Sequence, residues 1–119
     1  AFKIAEYLEN HNAIYKINYP GLVSHPQHDI MSKMISNNNR YGGMLSIELK
    51  GGMEKAIDVS SKVQIFKRAT SLGGTESLIE HRKSIEPENS PTPDSLLRLS
   101  IGLENVDDLI KDLDHALRS

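Results

Sequence analysis

Residues 96–103 alternate strictly between apolar and mixed side chains, and this run constrains the fold more than any other part of the chain. Successive side chains of a strand point to opposite sides of the sheet. One face therefore carries four apolar side chains, those of Leu97, Leu99, Ile101 and Leu103. The other face carries Arg98 among small and apolar neighbours, where a planar guanidinium could bind a carboxylate or phosphate through two parallel hydrogen bonds. This run alone leaves open a solvated arginine on the open face of a sheet.

The composition excludes several classes of partner. A length of 119 residues predicts one domain with a real core. The net charge of −2, with acids and bases mixed along the chain, predicts neither a nucleic-acid partner nor a membrane surface. The absence of cysteine excludes disulfides, a thiolate nucleophile and cysteine-ligated zinc, and is compatible with a cytoplasmic protein. No apolar run reaches the roughly 18 residues of a membrane span.

Residues 1–10 have the pattern of an amphipathic helix, because Ala1, Ile4, Ala5 and Leu8 share one helical face. The chain begins inside this pattern, without methionine and without the features of a secretory signal. We therefore expect a piece cut from a longer protein.

Three further runs alternate apolar with polar side chains and predict half-buried strands, namely residues 13–19, 44–49 and 64–69. In the first of them, the alternation assigns Tyr15, Ile17 and Tyr19 to one face. Half-polar strands are typical of a sheet that is covered on one side only. The predicted fold class is an α/β (α+β) sandwich, with an antiparallel or mixed sheet and helices on one face.

Three more helices are predicted. The spacing of Ser24 and Gln27 fits a capping box before a helix that carries Ile30, Met31, Met34 and Ile35 and ends at residues 37–39. A weaker helix places Met53, Ala56, Ile57 and Ser60 on one side. Asn105 is expected to cap a final helix with a long apolar stripe, formed by Val106, Leu109, Ile110, Leu113, Ala116 and Leu117. The methionines, Met31, Met34, Met44 and Met53, are expected to pack in the core.

The segment from Thr70 to Leu78 is a second candidate site, because paired glycines beside hydroxyl side chains permit a close backbone approach. A plain turn explains the same residues, and no phosphate-binding or dinucleotide motif is present. His25 and His28 lie three residues apart but have no third ligand nearby, so we predict no metal site.

The order of motifs resembles the C-terminal domain of the trans-sulfuration, or Cys/Met metabolism, family of enzymes that depend on pyridoxal phosphate (PLP). This family includes cystathionine γ-synthase, cystathionine γ-lyase and methionine γ-lyase. The resemblance covers essentially the whole chain and rests on segments 19–28, 42–49, 71–81 and 97–104, followed by a helix at 108–110. It implies one C-terminal domain, residues 1–119, with the fold of the small domain of fold-type I PLP enzymes.

The resemblance also implies roles for individual residues. Arg98 matches the arginine that grips the α-carboxylate of the substrate, and Ser71 matches the serine beside the cofactor-bearing lysine. Thr70 lies where side-chain choice affects substrate preference, and Leu72 belongs to the same substrate-binding segment. After His81 the family commonly has Pro-Ala-Ser-Met-Thr-His, whereas this chain has Arg-Lys-Ser-Ile-Glu-Pro at residues 82–87.

Family members hold PLP on a lysine in a Ser-x-Thr-Lys stretch of a larger N-terminal domain. No lysine of this chain lies in such a stretch. The resemblance thus implies that PLP is bound mainly outside this chain, that the chain contains no catalytic residue, and that it is inactive alone.

The expected function is therefore substrate binding within a cytoplasmic enzyme that performs γ-elimination or γ-replacement on sulfur amino acids or homoserine esters. The expected partners are the amino-acid substrate, the missing N-terminal domain and further copies, since relatives are tetramers. Two alternatives stay open: a β-lyase of the same family, and a non-catalytic binding or assembly domain or fragment.

Overall fold

The computed structural model describes residues 1–35 and 40–118. The elements follow in the order α1 Phe2–Glu9, β1 Ile14–Asn18, α2 His28–Met34, β2 Met44–Leu49, α3 Gly52–Lys62, β3 Lys67–Arg68, β4 Leu78–His81, a 3-10 helix Arg82–Ile85, β5 Leu96–Ser100 and α4 Val106–Arg118. No helix of the described ranges is long and apolar enough to span a membrane.

The strands form one mixed sheet in the order β1-β2-β5-β4-β3, in which only the β3–β4 pair is parallel. Directly paired residues share a face, so the register places five apolar side chains together, those of Leu45, Ile47, Leu97, Leu99 and Ile79. Helices α1, α3 and α4 complete the core on this side, chiefly with Ile4, Leu8, Val59, Leu109 and Leu113. The predicted mixed sheet with helices on one face is confirmed.

A polar row crosses the opposite, open face of the sheet. Asn18 pairs with Ser46, Ser46 with Arg98, and Arg98 with Glu80. Asn18 Nδ2 also donates to Ser46 Oγ at 3.2 Å. The register therefore places Arg98 near the middle of this face, between strands β2 and β4.

The first strand departs from the predicted alternation. The β1–β2 register shifts between Ile14 and Lys16. Ile14 is consequently buried, whereas Tyr15 is 71% exposed and Tyr19 is buried beyond the end of the strand. Assigning Tyr15 and Tyr19 to one face was wrong, because a bulge reverses the side-chain order locally.

Two predicted strands are shorter than expected. Within the run at residues 64–69, only Lys67–Arg68 forms a strand, β3. The N–H groups of Gln64, Ile65 and Phe66 donate to the carboxylate of Asp112 and not to a neighbouring strand. Strand β5 ends at Ser100, and Leu103, predicted to face the core, is 82% exposed.

The capping box and the packing predicted for the second helix were wrong. Ser24 Oγ donates to the carboxylate of Glu9, and α2 begins only at His28, without a side-chain cap. The described part of α2 has no buried residue, so Ile30 and Met34 are exposed. The predicted end of this helix at residues 37–39 lies outside the described residues.

The other helices agree better with their patterns. Helix α1 buries Ile4, Ala5 and Leu8, as predicted. Helix α3 buries Ala56, Val59 and Ser60 but leaves Met53 and Ile57 partly exposed, so its core face is rotated from the predicted one.

The predicted cap and core face of α4 are confirmed. Asn105 Oδ1 accepts hydrogen bonds from the N–H groups of Asp107 at 2.9 Å and Asp108 at 3.2 Å. The helix buries four residues of its apolar stripe, namely Leu109, Leu113, Ala116 and Leu117.

Candidate functional site

Arg98 is held in place and is not freely solvated. Its Nη2 atom donates to the carbonyl oxygens of Thr70, at 2.7 Å, and Ser71, at 3.4 Å. The same nitrogen lies 2.5 Å from Glu80 Oε2, and only 22% of the Arg98 side chain is exposed. The alternative of a solvated arginine is therefore not supported. These contacts restrain the guanidinium at one nitrogen, and within ranges 1–35 and 40–118 Nε and Nη1 have no partner, so their N–H groups can donate to a ligand.

The loop at residues 69–75 brings the carbonyl groups of Thr70 and Ser71 to Arg98 because the loop is attached to the end of β5. Gly73 adopts a left-handed conformation with φ of 73°. Its N–H donates to Ser100 Oγ at 3.0 Å, and Thr75 O accepts from the N–H of Leu103 at 2.9 Å. A residue with a side chain would be strained at this φ. The glycine-containing segment is thus fixed to the end of β5 and the residues after it.

The structure places the four predicted site residues in one region, with different contributions. Thr70 and Ser71 contact Arg98 through their backbone carbonyls. The side chains of Thr70, Ser71 and Leu72 lie at the exposed surface of the loop. These side chains are therefore accessible, next to the two carbonyl groups that hold Arg98.

Glu80 is a member of this site that the sequence did not single out. It lies opposite Arg98 across the β4–β5 pair, and its side chain is only 5% exposed. Its Oε1 accepts from Arg82 Nη1 at 2.9 Å. Its buried Oε2 lies 2.5 Å from Arg98 Nη2, so the two side chains form a close ion pair.

Arg82 links Glu80 to a second carboxylate. Arg82 Nε donates to Glu86 Oε2 at 3.2 Å, while Glu86 Oε1 accepts from Ser90 Oγ and Thr92 Oγ1, both at 2.7 Å. The hydroxyls of Ser90 and Thr92, helped by Arg82, lower the pKa of Glu86. Burial works against the charge of Arg82, but Glu80 and Glu86 outweigh it and raise its pKa. Both groups therefore stay ionised at neutral pH.

A third carboxylate, that of Glu104, fixes the segment before β4. Glu104 accepts from the N–H of Ser77 at 3.0 Å and from its Oγ at 2.7 Å. Burial opposes the charge of Glu104, but these hydrogen bonds outweigh it and lower its pKa. Ser77 Oγ also accepts from the N–H of Gly102 at 2.8 Å. This contact joins the start of β4 to the residues after β5.

The two histidines considered as zinc ligands have other partners. His25 Nδ1 accepts from the N–H of Gln27, and His28 Nδ1 lies 2.7 Å from the carbonyl oxygen of Pro20. Within ranges 1–35 and 40–118, no group of three or more His, Asp or Glu side chains could hold a metal ion.

The site has donors for an anion but no anchor for an aldehyde cofactor. Neither the loop at 69–74 nor the polar row contains a lysine, and no Ser-x-Thr-Lys stretch occurs in the sequence. A PLP aldehyde needs a lysine amine to form its resting linkage. The residues around Arg98 therefore fit a carboxylate group, and they do not fit the attachment of PLP.

A mixed sheet with helices on one face and a partly covered arginine on the other defines an α/β sandwich. The model of the Cys/Met metabolism PLP-dependent enzyme family matches residues 1–118, and the chain belongs to this family. The resemblance inferred from the sequence motifs is thereby confirmed. Enzymes of the family depend on PLP.

The similar proteins differ in the reactions that their names state. The cystathionine γ-synthase of Mycobacterium tuberculosis is 39% identical over 122 residues, which cover 98% of this chain and 31% of that protein. The L-methionine γ-lyase of Fusobacterium nucleatum subsp. polymorphum is 41% identical over 125 residues, with coverage of 98% and 31%. The cystathionine β-lyase of Coxiella burnetii is 40% identical over 125 residues, with coverage of 98% and 32%. The chain spans about a third of the length of these relatives.

A solved structure shares the fold. The crystal structure of an O-acetylhomoserine (thiol)-lyase from Campylobacter jejuni matches with a TM-score of 0.85 and 40% identity, over 98% of this chain and 26% of that one. It contains a pyridoxyl-lysine monophosphate residue.

Proposed function

We propose that residues 1–119 form the C-terminal, substrate-binding domain of a PLP-dependent trans-sulfuration enzyme, and that Arg98 binds the α-carboxylate of the amino-acid substrate. The observation that carries this proposal is the placement of Arg98. Its guanidinium lies on the open sheet face, is largely covered, and is held through one nitrogen by the loop at residues 70–71.

The chain's own contribution is to bind and orient the substrate. Arg98 offers a charged, planar donor whose direction is fixed before the substrate arrives, which reduces the entropy lost on binding. Thr70 and Ser71 contact this donor through their carbonyl groups, and Leu72 follows them in the same loop, so the side chains of all three are the candidates for further contact with the substrate. Their exposed positions support this assignment.

PLP and its lysine belong to a larger N-terminal region in this proposal. Two observations support it: this chain has no suitable lysine, and relatives are about three times as long as the matched segment. The complete protein would be a cytoplasmic oligomer in which the open face of the sheet borders the cofactor. Sequencing the reading frame upstream of Ala1 tests this: a Ser-x-Thr-Lys stretch is expected, and a start codon close to Ala1 would contradict it.

The reaction we propose is γ-elimination or γ-replacement on a sulfur amino acid or homoserine ester. The γ-synthase and γ-lyase names of two relatives support it. The Coxiella relative, a β-lyase of similar identity, supports β-elimination as the second candidate. Product analysis of the complete protein with cystathionine separates the two, because cleavage at the γ-carbon releases cysteine and cleavage at the β-carbon releases homocysteine.

The carboxylate assignment predicts a large kinetic effect at Arg98. In the complete protein, Arg98→Ala removes a charge-assisted contact to the substrate carboxylate, which should lower kcat/KM by roughly 30- to 1000-fold. Steady-state kinetics with the preferred amino acid measures this change. Arg118→Ala is the matched control, because Arg118 lies at the surface of α4 and should change kcat/KM less than twofold. A loss below threefold for Arg98→Ala would contradict the assignment.

A further inference from the structure

We propose that Glu80 is a positioning residue for Arg98, and that Arg82 and Glu86 hold Glu80 in place for this purpose. This inference rests on the proposed function, since it assigns Glu80 a role only if Arg98 binds the substrate carboxylate. It also gives a purpose to the segment at 82–87, where this chain departs from the common family sequence.

The Glu80 carboxylate and two backbone carbonyls converge on one nitrogen of Arg98. Glu80 Oε2 lies 2.5 Å from Arg98 Nη2, and the carbonyl oxygens of Thr70 and Ser71 accept from the same nitrogen. These contacts restrain the guanidinium at Nη2. Among the described residues Nε and Nη1 have no partner, so their N–H groups stay available for a ligand carboxylate.

Burial makes this restraint effective. The Glu80 side chain is 5% exposed and lies directly opposite Arg98 in the β4–β5 register. A buried ion pair is screened much less by salt than an exposed one. A buried carboxylate also has a large desolvation cost, which one partner alone does not offset. Glu80 has two arginine partners, one on each oxygen.

Arg82 fixes the direction in which Glu80 points. Its Nη1 binds Glu80 Oε1 at 2.9 Å, and its Nε binds Glu86 Oε2 at 3.2 Å. Glu86 is in turn held by Ser90 and Thr92. Charges alternate along Arg98, Glu80, Arg82 and Glu86, so each group is attracted by its neighbours. Through this series of contacts, the 3-10 helix that carries Arg82 restrains the position of Arg98.

The test is a double-mutant cycle in the complete protein, with the preferred amino acid as substrate. Glu80→Gln keeps the shape of the side chain but removes its charge, and should lower kcat/KM about tenfold, mainly through a higher KM. Glu80→Asp retains the charge and should recover part of the loss. In the Arg98→Ala background, Glu80→Gln should cause less than a twofold further change, because the residue that it positions is gone.

A second variant and a control separate positioning from general destabilisation. Arg82→Gln retains the Glu80 carboxylate but removes the arginine that fixes its direction, and should lower kcat/KM about threefold, again only when Arg98 is present. Asp114→Asn makes the same acid-to-amide change elsewhere, at a carboxylate of α4 that accepts hydrogen bonds from Tyr7 of α1 and from Arg118. It should lower the melting temperature with less than a twofold change in kcat/KM.

The outcomes are distinct. If Glu80→Gln leaves kcat/KM unchanged, raises it, or lowers it equally in both backgrounds, Glu80 does not position Arg98. If Arg98→Ala itself has less than a threefold effect, the proposed function fails, whatever the Glu80 variants do.

Discussion

At the scale of single residues, Asp112 determines how α4 joins the sheet. Its buried carboxylate accepts three backbone hydrogen bonds, from Gln64 at 2.7 Å, Ile65 at 2.8 Å and Phe66 at 3.1 Å. These bonds satisfy the N–H groups that follow α3 and end β-pairing there. One side chain thereby fixes the connection from α3 to β3.

Asp112→Asn should destabilise the protein by about 2–4 kcal/mol, because an amide presents an N–H group to donors that need an acceptor. Thermal and urea denaturation of the complete protein measure this change. Asp58→Asn is the control: Asp58 forms a partly exposed i,i+4 pair with Lys62 at 2.9 Å, and its replacement should cost about 0.5 kcal/mol or less. Equal effects of the two substitutions would show that Asp112 does not have this structural role.

The residues of the site differ in how far the sequence predicts them. Arg98 stands out because a strictly alternating strand isolates one charged residue among small and apolar neighbours. Glu80 does not stand out, because its partner is 18 residues away and is known only once β4 and β5 are paired in register. Cross-strand neighbours depend on the tertiary fold, and a single sequence does not specify them.

At the scale of elements, Gly102 governs the connection between β5 and α4. A Cβ atom on Gly102 would lie 2.3 Å from Thr75 O and 2.7 Å from the carbonyl carbon of Glu76. Both are backbone atoms of the segment that leads into β4, so neither can move away easily. The close approach of these two chain segments requires glycine.

Gly102→Ala should therefore destabilise the protein by about 2–4 kcal/mol through steric overlap. Gly74→Ala is the matched control, because no heavy atom lies within 4 Å of its added Cβ. It should leave stability unchanged or slightly increased. Melting temperatures of the two variants compare them directly, and a Gly102→Ala protein as stable as Gly74→Ala would contradict the close approach.

The elements were predictable where periodicity and burial agree. Helix α4 has an apolar stripe and a side-chain cap, and both occur as predicted. Helix α2 has the same apolar periodicity but lies at the surface, and a bulge displaces the alternation of β1. Periodicity specifies the type of an element, whereas tertiary contacts decide which of its faces is buried.

At the scale of the whole molecule, a polar cluster joins the first and last helices. The carboxylate of Asp114 in α4 accepts hydrogen bonds from the hydroxyl of Tyr7 and from Arg118 Nε, the latter at 2.8 Å. Its Oδ1 also lies 3.2 Å from His11 Nε2. His11 Nδ1 accepts from the N–H of Ala13, which makes Nε2 the donor to Asp114. The hydrogen bonds from Arg118 and Tyr7 lower the pKa of Asp114 to about 2.

This shift predicts how stability depends on pH. The folded pKa is about 2, below the ordinary value of 3.8, so the native state binds fewer protons between these values. The contribution of ionised Asp114 to the free energy of unfolding is fully present above about pH 4, declines as the pH falls toward 2, and is absent below that. Partial exposure limits it to about 1–2 kcal/mol. Urea denaturation between pH 2 and pH 5 should show a shallower decline for Asp114→Asn than for the wild type. Parallel curves would contradict this account.

The most direct test of the central claim is a crystal structure of the complete protein with an unreactive amino acid bound. The account predicts that the α-carboxylate accepts hydrogen bonds of about 2.7–3.0 Å from the guanidinium of Arg98, with Glu80 still beside it. A carboxylate bound elsewhere, with Arg98 paired only with Glu80 and the loop carbonyls, would contradict it.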